Sequence, residues 1–187
     1  MLNIYNIETS NYVNGNGCRY VLWLQGCNLG CIGCWNSETW SFEKNILKTV
    51  DEVFEEILNL KDTIDGITFT GGEPFLQSDE LSKLAQLLKE NTNLNIQIFS
   101  GFAIEELQSN SQKVLLDYTD ILVSGRYDKN KPNNNQCLYI LNKDIVPWQF
   151  NNSDVQIDID ADGNIKMTGY PTNKLIDIIK RENNARV

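Results

Sequence analysis

The sequence predicts an α/β fold built on a parallel sheet, and both the alternation of strands with helices and the chain length bear on the architecture. Short runs rich in β-branched and aromatic residues alternate with longer segments in which apolar residues recur at helical spacing. Strands that alternate with helices in this way form parallel sheets with right-handed crossovers. A closed eight-unit barrel takes about 250 residues, whereas this chain has 187. The length therefore favours an open partial (βα) barrel.

The expected elements follow one another in a regular order. The alternating run at residues 2–8 predicts a short edge strand, and Val21–Gln25 predicts a buried strand. Further strands are expected at Gly66–Thr70, Asn95–Phe102, Asp120–Ser124 and Gln136–Leu141. Helices are expected after a capping box at Thr49–Glu52, from about Ser78, and in parts between Ile104 and Leu116.

The last third of the chain predicts a β-hairpin around Ala161–Gly163 and a short helix at Leu175–Ile179. Residues 158–164 copy the first half of an EF-hand calcium loop, but its ninth and twelfth positions are Lys166 and Gly169. A hairpin turn is therefore preferred over a calcium site. We expect a single domain over residues 1–187, with a core at about 14–142 and the hairpin and helix in 143–187.

The amino-acid composition indicates which kinds of partner and which cellular compartment are expected. The 16 basic and 25 acidic residues give a net charge of −9, which argues against nucleic acid or an anionic membrane as the main partner. The first residues lack the basic start and apolar run of a signal peptide, and no stretch approaches membrane-spanning length. Five cysteines, an odd number, without an export signal favour metal binding in a reducing compartment. We therefore expect a cytoplasmic protein.

Three of those cysteines, Cys27, Cys31 and Cys34, stand in a CxxxCxxC spacing just after the predicted strand at Val21–Gln25. Thiolates at this spacing suit an iron–sulfur or zinc centre. A structural zinc site normally closes with four ligands, and the chain contains no histidine. An open coordination position is the preferred interpretation, and a structural zinc module closed by Cys18 or Cys137 is the alternative. The remaining two cysteines are otherwise interpreted as a half-buried thiol, Cys18, and a core residue, Cys137.

Two other loops follow predicted strands directly, Gly71–Pro74 and Ser100–Gly101. Ligands in parallel α/β sheets bind at the carboxyl ends of the strands, so these loops and the cysteine loop should gather on one rim. Adjacent glycines let the backbone approach a bound molecule, and Glu73 can accept a hydrogen bond from an ammonium group. Trp23, in the preceding strand, is interpreted as a core residue.

The CxxxCxxC motif resembles the signature of the radical S-adenosylmethionine (SAM) enzymes. The wider stretch Asn14–Trp40 is similar to the activating enzymes of anaerobic ribonucleotide reductase, which are glycyl radical enzyme activases. In these activases, as here with Trp35, the aromatic residue follows the third cysteine. The resemblance implies a [4Fe-4S] cluster on the three cysteines, with the amino and carboxylate groups of SAM on the fourth iron. It also implies a partial barrel of the radical SAM type.

Site residues follow from the same resemblance. It implies that Gly71, Gly72 and Glu73 hold the SAM amino group, that Gly33, Trp35 and Asn36 lie on the adenine side, and that Ser100 lies near the cofactor. Cys34 and Pro74 are expected among the other cofactor-binding residues. Arg126, Asn135 and Gln136 resemble polar positions at the open end of the activase barrel, where they would meet substrate. A solvated loop is the alternative for these three.

The function that the resemblance implies is reductive cleavage of SAM to a 5′-deoxyadenosyl radical, with an electron from a donor such as flavodoxin or ferredoxin. That radical would generate a glycyl radical on a partner such as the large subunit of anaerobic ribonucleotide reductase. The cofactors would supply the reactivity, which agrees with the lack of an acid–base pair in the sequence. A radical SAM enzyme that modifies a peptide or small metabolite is one alternative. A non-catalytic zinc module is the other.

Overall fold

The computed structural model describes residues 1–131, 135–145, 155–159, 161–163, 165–169 and 174–175. These residues form a mixed α/β structure with a seven-stranded sheet and a separate two-stranded sheet. The large sheet consists of β1 (Leu2–Asn11), β2 (Arg19–Leu24), β3 (Ile46–Lys48), β4 (Gly66–Gly71), β5 (Asn95–Ser100), β6 (Ile121–Ser124) and β7 (Cys137–Ile140). The small sheet is the hairpin of β8 (Val155–Ile159) and β9 (Ile165–Gly169).

The large sheet is parallel in its centre and antiparallel at both sides. Its strand order is β3-β1-β2-β4-β5-β6-β7, and the contiguous pairs from β2 to β6 are parallel. The outer pairs β1–β3, β1–β2 and β6–β7 are antiparallel. The carboxyl ends of the four parallel strands therefore lie at one edge, where the cysteine loop and the loops after β4 and β5 begin.

Three α-helices connect the parallel strands: α1 (Val50–Leu60), α2 (Ser78–Asn91) and α3 (Asn110–Asp117). Short 3-10 turns lie at Ser37–Thr39, Pro74–Gln77 and Ile104–Glu106. The capping box that predicts α1 is confirmed, because the Thr49 hydroxyl accepts from the backbone N–H of Glu52 at 3.1 Å and the Glu52 carboxylate accepts from the backbone N–H of Thr49 at 2.7 Å.

The two faces of the parallel sheet have different roles. Side chains alternate between faces along each strand, and Tyr20, Leu22 and Leu24 of β2 lie in the main hydrophobic core with the helices. The intervening Trp23 points to the other face, where it lines a cavity together with Thr70 of β4 and other residues. We call this second face the cavity face of the sheet.

At the amino ends of the strands, the cavity face contains a buried arginine. The Arg19 side chain is fully buried and donates to the Thr68 hydroxyl at 2.6 Å and to the Ile67 and Asn16 carbonyls at 2.6 and 3.1 Å. Burial lowers the pKa of Arg19 to about 10. These bonds connect β2 to β4 and to the turn before β2, so they fix the strand ends opposite the cysteine loop.

The first strand differs from its prediction as a short edge strand at residues 2–8. It is ten residues long and lies inside the sheet, because Ile46–Lys48 pairs along its outer side with Leu2–Ile4. Three residues are too few to show an alternating pattern, so sequence analysis missed β3. The other predicted strands are confirmed to within two residues at each end.

Two cysteine predictions require correction. Cys137, predicted in the core, is exposed because β7 is the outermost strand of the sheet and, among the described residues, pairs with β6 alone. Cys18, predicted to be half-buried, is 8% exposed and its Sγ lies 3.4 Å from the Ser10 hydroxyl. All five cysteines are free thiols.

The C-terminal hairpin is confirmed, with Ile159 opposite Ile165 beside the turn. It contacts β1, since the Gln156 amide donates to the Ser10 carbonyl at 3.1 Å and accepts from the Tyr12 N–H at 2.9 Å. The predicted helix at Leu175–Ile179 lies, apart from Leu175, outside the described residues. Within the described ranges, no helix combines the length and the apolar character needed to cross a bilayer.

We predict that Thr49→Ala lowers the free energy of unfolding by about 1 kcal/mol, because the capping box loses its side-chain acceptor. Urea denaturation followed by circular dichroism measures the difference. Glu55→Ala, at an exposed position within the same helix, is the matched control and should change stability by less than about 0.5 kcal/mol. Equal effects of the two substitutions would contradict the assignment of the cap.

Candidate functional site

The cysteine loop is closed at its base by backbone hydrogen bonds. Gly26 donates to the Thr39 carbonyl at 2.7 Å and Cys27 donates to the Trp40 carbonyl at 3.1 Å. These two bonds join the ends of the loop over residues 26–40 next to β2. The three cysteines therefore lie within a closed loop.

One cavity of about 850 Å³, including its open mouth, lies at the carboxyl ends of the parallel strands. Its lining contains all three motif cysteines together with parts of the two other rim loops. The predicted site residues that line it are Cys27, Cys31, Cys34, Trp35, Asn36, Gly71, Gly72, Glu73, Ser100 and Gln136. The structure thus brings together the loops after β2, β4 and β5.

Two of the motif thiols, those of Cys27 and Cys31, receive hydrogen bonds from the backbone. Burial raises the pKa of Cys27 and of Cys31, and backbone hydrogen bonds from Leu29 and from Tyr127, respectively, oppose this rise. Such donors stabilise thiolate sulfur, which is the form that binds metal. In the described part of the chain, no three acidic, cysteine or histidine side chains converge on a single point suited to one metal ion.

The residues fit a four-iron cluster. Such a cluster binds each cysteine through a different iron atom, so it needs thiolates distributed around one volume. Cys27, Cys31 and Cys34 have this arrangement, since they line the same cavity and each lies within electrostatic range of the others.

The Gly71–Pro74 loop is bonded directly to the end of β2. Gly72 donates to the Leu24 carbonyl at 2.8 Å, and Glu73 donates to the Gly26 carbonyl at 2.9 Å. A Cβ atom on Gly72 would overlap the Gly26 carbonyl. The paired glycines were predicted to let a bound molecule approach; in addition, the missing side chain of Gly72 lets two loops of the chain approach each other.

Glu73 is fully buried at the bottom of this loop. Its carboxylate accepts from the Phe75 N–H at 3.0 Å, the Ser100 hydroxyl at 2.9 Å and the Gly101 N–H at 2.8 Å. Burial outweighs these bonds and raises the pKa of Glu73 to about 7. Ser100 therefore positions Glu73, and the carboxylate joins the second rim loop to the third.

The same carboxylate fits the ammonium group of SAM. Two carboxylate oxygens offer about four acceptor positions, and three are used by the chain. A nearby cation favours the ionised form of a buried acid and would offset the effect of burial on its pKa.

The segment Tyr127–Lys129 crosses the cysteine loop, and this contact was not predicted from the sequence. The Tyr127 backbone N–H bonds the Cys31 sulfur, and its hydroxyl accepts from the Trp35 indole. Lys129 donates to the Ile32 carbonyl at 3.4 Å, and its side chain lies where a Cβ of Gly33 would be. No spacing signal marks these residues, because their contacts join the ends of β2 and β6.

Arg126, Asn135 and Gln136 lie at different distances from the cavity. Arg126 bonds Glu106 at 2.9 and 3.0 Å, donates to the Gly101 carbonyl and stacks 5.2 Å over Phe102. Gln136 lines the cavity and donates to the Gly125 carbonyl at 3.1 Å.

Asn135 adopts a positive φ of 64° and its amide lies 3.4 Å from the Arg126 carbonyl. Of the predicted substrate residues, only Gln136 is part of the cavity lining in the described residues.

Pro74 is buried and begins the 3-10 turn that leads into α2. Pro is suited to this position because it lacks a backbone N–H and its φ is already helical. Gly33, with a φ of 70°, lies beside Lys129 and is not among the residues that line the cavity in the described part of the chain.

Comparison with known proteins agrees with this geometry. Residues 13–145 match the family described as a 4Fe-4S single cluster domain. The anaerobic ribonucleoside-triphosphate reductase-activating protein of Enterobacteria phage T4 is 35% identical over 135 residues, which cover 70% of this chain and 85% of that protein.

The pyruvate formate-lyase-activating enzyme of Staphylococcus aureus is 38% identical over 133 residues, covering 63% of this chain and 53% of the enzyme. The chain thus spans about half the length of that relative. Among solved structures, QueE from Escherichia coli aligns with a TM-score of 0.40 and 22% identity over 54% of this chain and 52% of its own. From the match over residues 13–145 and the extent of the reductase-activating relative that is covered, the chain belongs to the 4Fe-4S single cluster domain family and is related to the anaerobic ribonucleoside-triphosphate reductase-activating protein.

Proposed function

We propose that this protein is a radical SAM activase that generates a glycyl radical on a partner enzyme. The observation that carries the proposal is the single cavity that contains three motif thiols and the buried carboxylate of Glu73. The names of two relatives, activators of a ribonucleotide reductase and of pyruvate formate-lyase, support this class of partner.

In this proposal Cys27, Cys31 and Cys34 hold the [4Fe-4S] cluster. When bound, the cluster and SAM supply a 5′-deoxyadenosyl radical after one-electron reduction. Glu73 binds the SAM ammonium, and Ser100 keeps the Glu73 carboxylate in place through its 2.9 Å hydrogen bond.

The adenine side of SAM is assigned to the third cysteine and its neighbours, which include Trp35 and Asn36 in the cavity lining. The hydrogen bond between Trp35 and Tyr127 fixes the indole ring at the cavity wall. A fixed ring is suited to stacking on a heterocycle without further loss of side-chain freedom.

The sheet is proposed to form an open partial barrel, with the hairpin as an appendage of one radical SAM domain. A radical intermediate requires exclusion of water, and the cavity has an open mouth. A glycine-bearing segment of the partner would complete its enclosure, with Gln136 and its neighbours at the entrance.

The electron donor is proposed to be a small redox protein such as flavodoxin or ferredoxin. The cysteine loop presents Ile32 and Trp35 to solvent with 60% and 46% exposure, which offers an apolar surface next to the cluster ligands. Free thiols on all five cysteines agree with a reducing compartment, for which we propose the cytoplasm.

Replacing Cys27, Cys31 or Cys34 by Ala should abolish a brown, oxygen-labile cluster, because each thiolate is proposed to bind one iron. Cys18→Ala and Cys137→Ala are the matched controls and should retain it, since neither thiol lines the described cavity. Iron, sulfide and zinc analysis of anaerobically purified proteins measures this. Full loss of iron in Cys137→Ala, or zinc without sulfide in the unsubstituted protein, would favour the structural metal module.

Glu73→Gln should keep the iron content but weaken SAM binding roughly tenfold to a hundredfold, the value of a charge-assisted hydrogen bond. The pKa of Glu73 is about 7 before SAM binds. As the pH falls below 7 the carboxyl becomes neutral, so the unsubstituted protein should lose its higher affinity for SAM relative to Glu73→Gln. Calorimetric titration with SAM between pH 6 and 8 tests both effects. Glu55→Gln is the control, and a pH-independent difference would assign Glu73 a purely structural role.

A stable glycyl radical should form when the reduced protein and SAM are mixed anaerobically with its partner enzyme. Electron paramagnetic resonance detects the radical, and candidate partners are an anaerobic ribonucleoside-triphosphate reductase and pyruvate formate-lyase. The absence of a glycyl signal with such enzymes, together with steady 5′-deoxyadenosine release on a short peptide or free metabolite, would favour the small-substrate alternative.

A further inference from the structure

The cavity contains a buried hydrogen-bond donor that the proposed cofactor contacts do not use. Trp23 is 9% exposed, lines the cavity, and its indole N–H has no hydrogen-bond partner within the described residues. Buried donors are normally paired, so an unpaired one in a cavity lining indicates a group that a ligand satisfies. Sequence analysis predicted only that Trp23 is a core residue, and its burial agrees with that prediction.

The position of Trp23 places this donor below the rim. The residue is the last but one of β2 and stands opposite Thr70 in the parallel register with β4. The rim loops begin only after these strands end, at Gly26 and Gly72. Trp23 and Thr70 therefore belong to the floor of the cavity, on the cavity face of the sheet.

The surroundings of the donor select the ligand chemistry. Glu73 is the only Asp, Glu, Lys or Arg side chain among the described residues that line the cavity, and it is bonded to the rim loops. Thr70 and Phe99, on the neighbouring strands β4 and β5, line the cavity together with Trp23. An indole N–H can only donate, so the ligand group that meets it must be a hydrogen-bond acceptor.

We infer that the Trp23 indole N–H donates to a backbone carbonyl of the peptide segment that enters the cavity, and so positions the residue that loses hydrogen. A peptide next to glycine meets the requirement, because it combines a neutral carbonyl with no side chain to displace. This inference rests on the proposed function and adds a positioning residue to it. The chemistry of hydrogen removal does not involve Trp23.

The first test separates binding of the partner from binding of SAM. Trp23→Phe removes the donor and keeps an aromatic ring of similar shape. With the glycyl radical enzyme that gives the strongest signal, KM should rise about three- to tenfold, the effect of one neutral hydrogen bond, while kcat and SAM affinity stay within twofold. Tyr20→Phe is the matched control, because it removes one hydroxyl from the same strand on the helix side, where it bonds Glu56 at 3.0 Å.

The second test does not require turnover. Ultraviolet resonance Raman difference spectra between the unsubstituted protein and Trp23→Phe isolate the indole N–H band, which reports hydrogen bonding. In the cluster-loaded, unreduced protein this band should shift when excess N-acetylglycyl-glycinamide is added with SAM, and should stay unchanged with SAM alone.

A shift with SAM alone, or weaker SAM binding in Trp23→Phe, would assign the donor to the cofactor and overturn the inference. An unchanged band under all conditions, or an unchanged KM, would also overturn it. If the peptide shifts the band but no glycyl radical forms with any partner enzyme, the glycyl radical function fails while the peptide contact stands.

Discussion

Two backbone hydrogen bonds beyond the ends of β2 and β4 hold the site together. Gly72 and Glu73 donate to the Leu24 and Gly26 carbonyls at 2.8 and 2.9 Å. They extend the pairing of two parallel strands into the loops that follow, where strands normally diverge. Because a side chain on Gly72 would overlap Gly26, this extension depends on one residue without a Cβ atom. The cysteine loop and the carboxylate of Glu73 consequently share one rigid support.

The buried carboxylate of Glu73 lowers the stability of the folded protein when it is ionised, but it can also bind a cation. Burying Glu73 moves its pKa from 4.5 to about 7, which corresponds to roughly 3 kcal/mol of penalty on the ionised form. As the folded-state pKa lies above the unfolded one, this group contributes stability below pH 4.5 that is lost as the pH rises through 7. A cation near the carboxylate would favour its ionised form and offset this penalty.

Local patterns predicted much of the fold. The capping box of α1 and the β-rich run at Gly66–Gly71 each contain their own signal within a few residues. The failures concern partners distant in sequence. Ile46–Lys48 becomes a strand only because β1 lies beside it, and Cys137 is exposed only because its strand is the last in the sheet.

The candidate site shows the same difference between features that a local sequence pattern predicts and features that depend on distant residues. The cysteine spacing and the loops after β4 and β5 were recognisable in the sequence, since the carboxyl ends of parallel strands meet at one edge. Tyr127 and the unpaired indole N–H of Trp23 were not, because a hydrogen-bond partner, or the lack of one, is a property of the folded chain. The sequence thus predicts which residues lie at the site, but not the hydrogen bonds that they form.

The contact between the Tyr127–Lys129 segment and the cysteine loop restricts where the chain can change in length. Asp128 and Ile32 form a parallel bridge, and Lys129 bonds the same residue. An insertion between the end of β6 and Lys129 would shift every one of these contacts by a residue, including the bond to Cys31. Insertions after Lys131 would leave them in register. Homologues can therefore be expected to vary in loop length after this point and to keep a fixed number of residues before it.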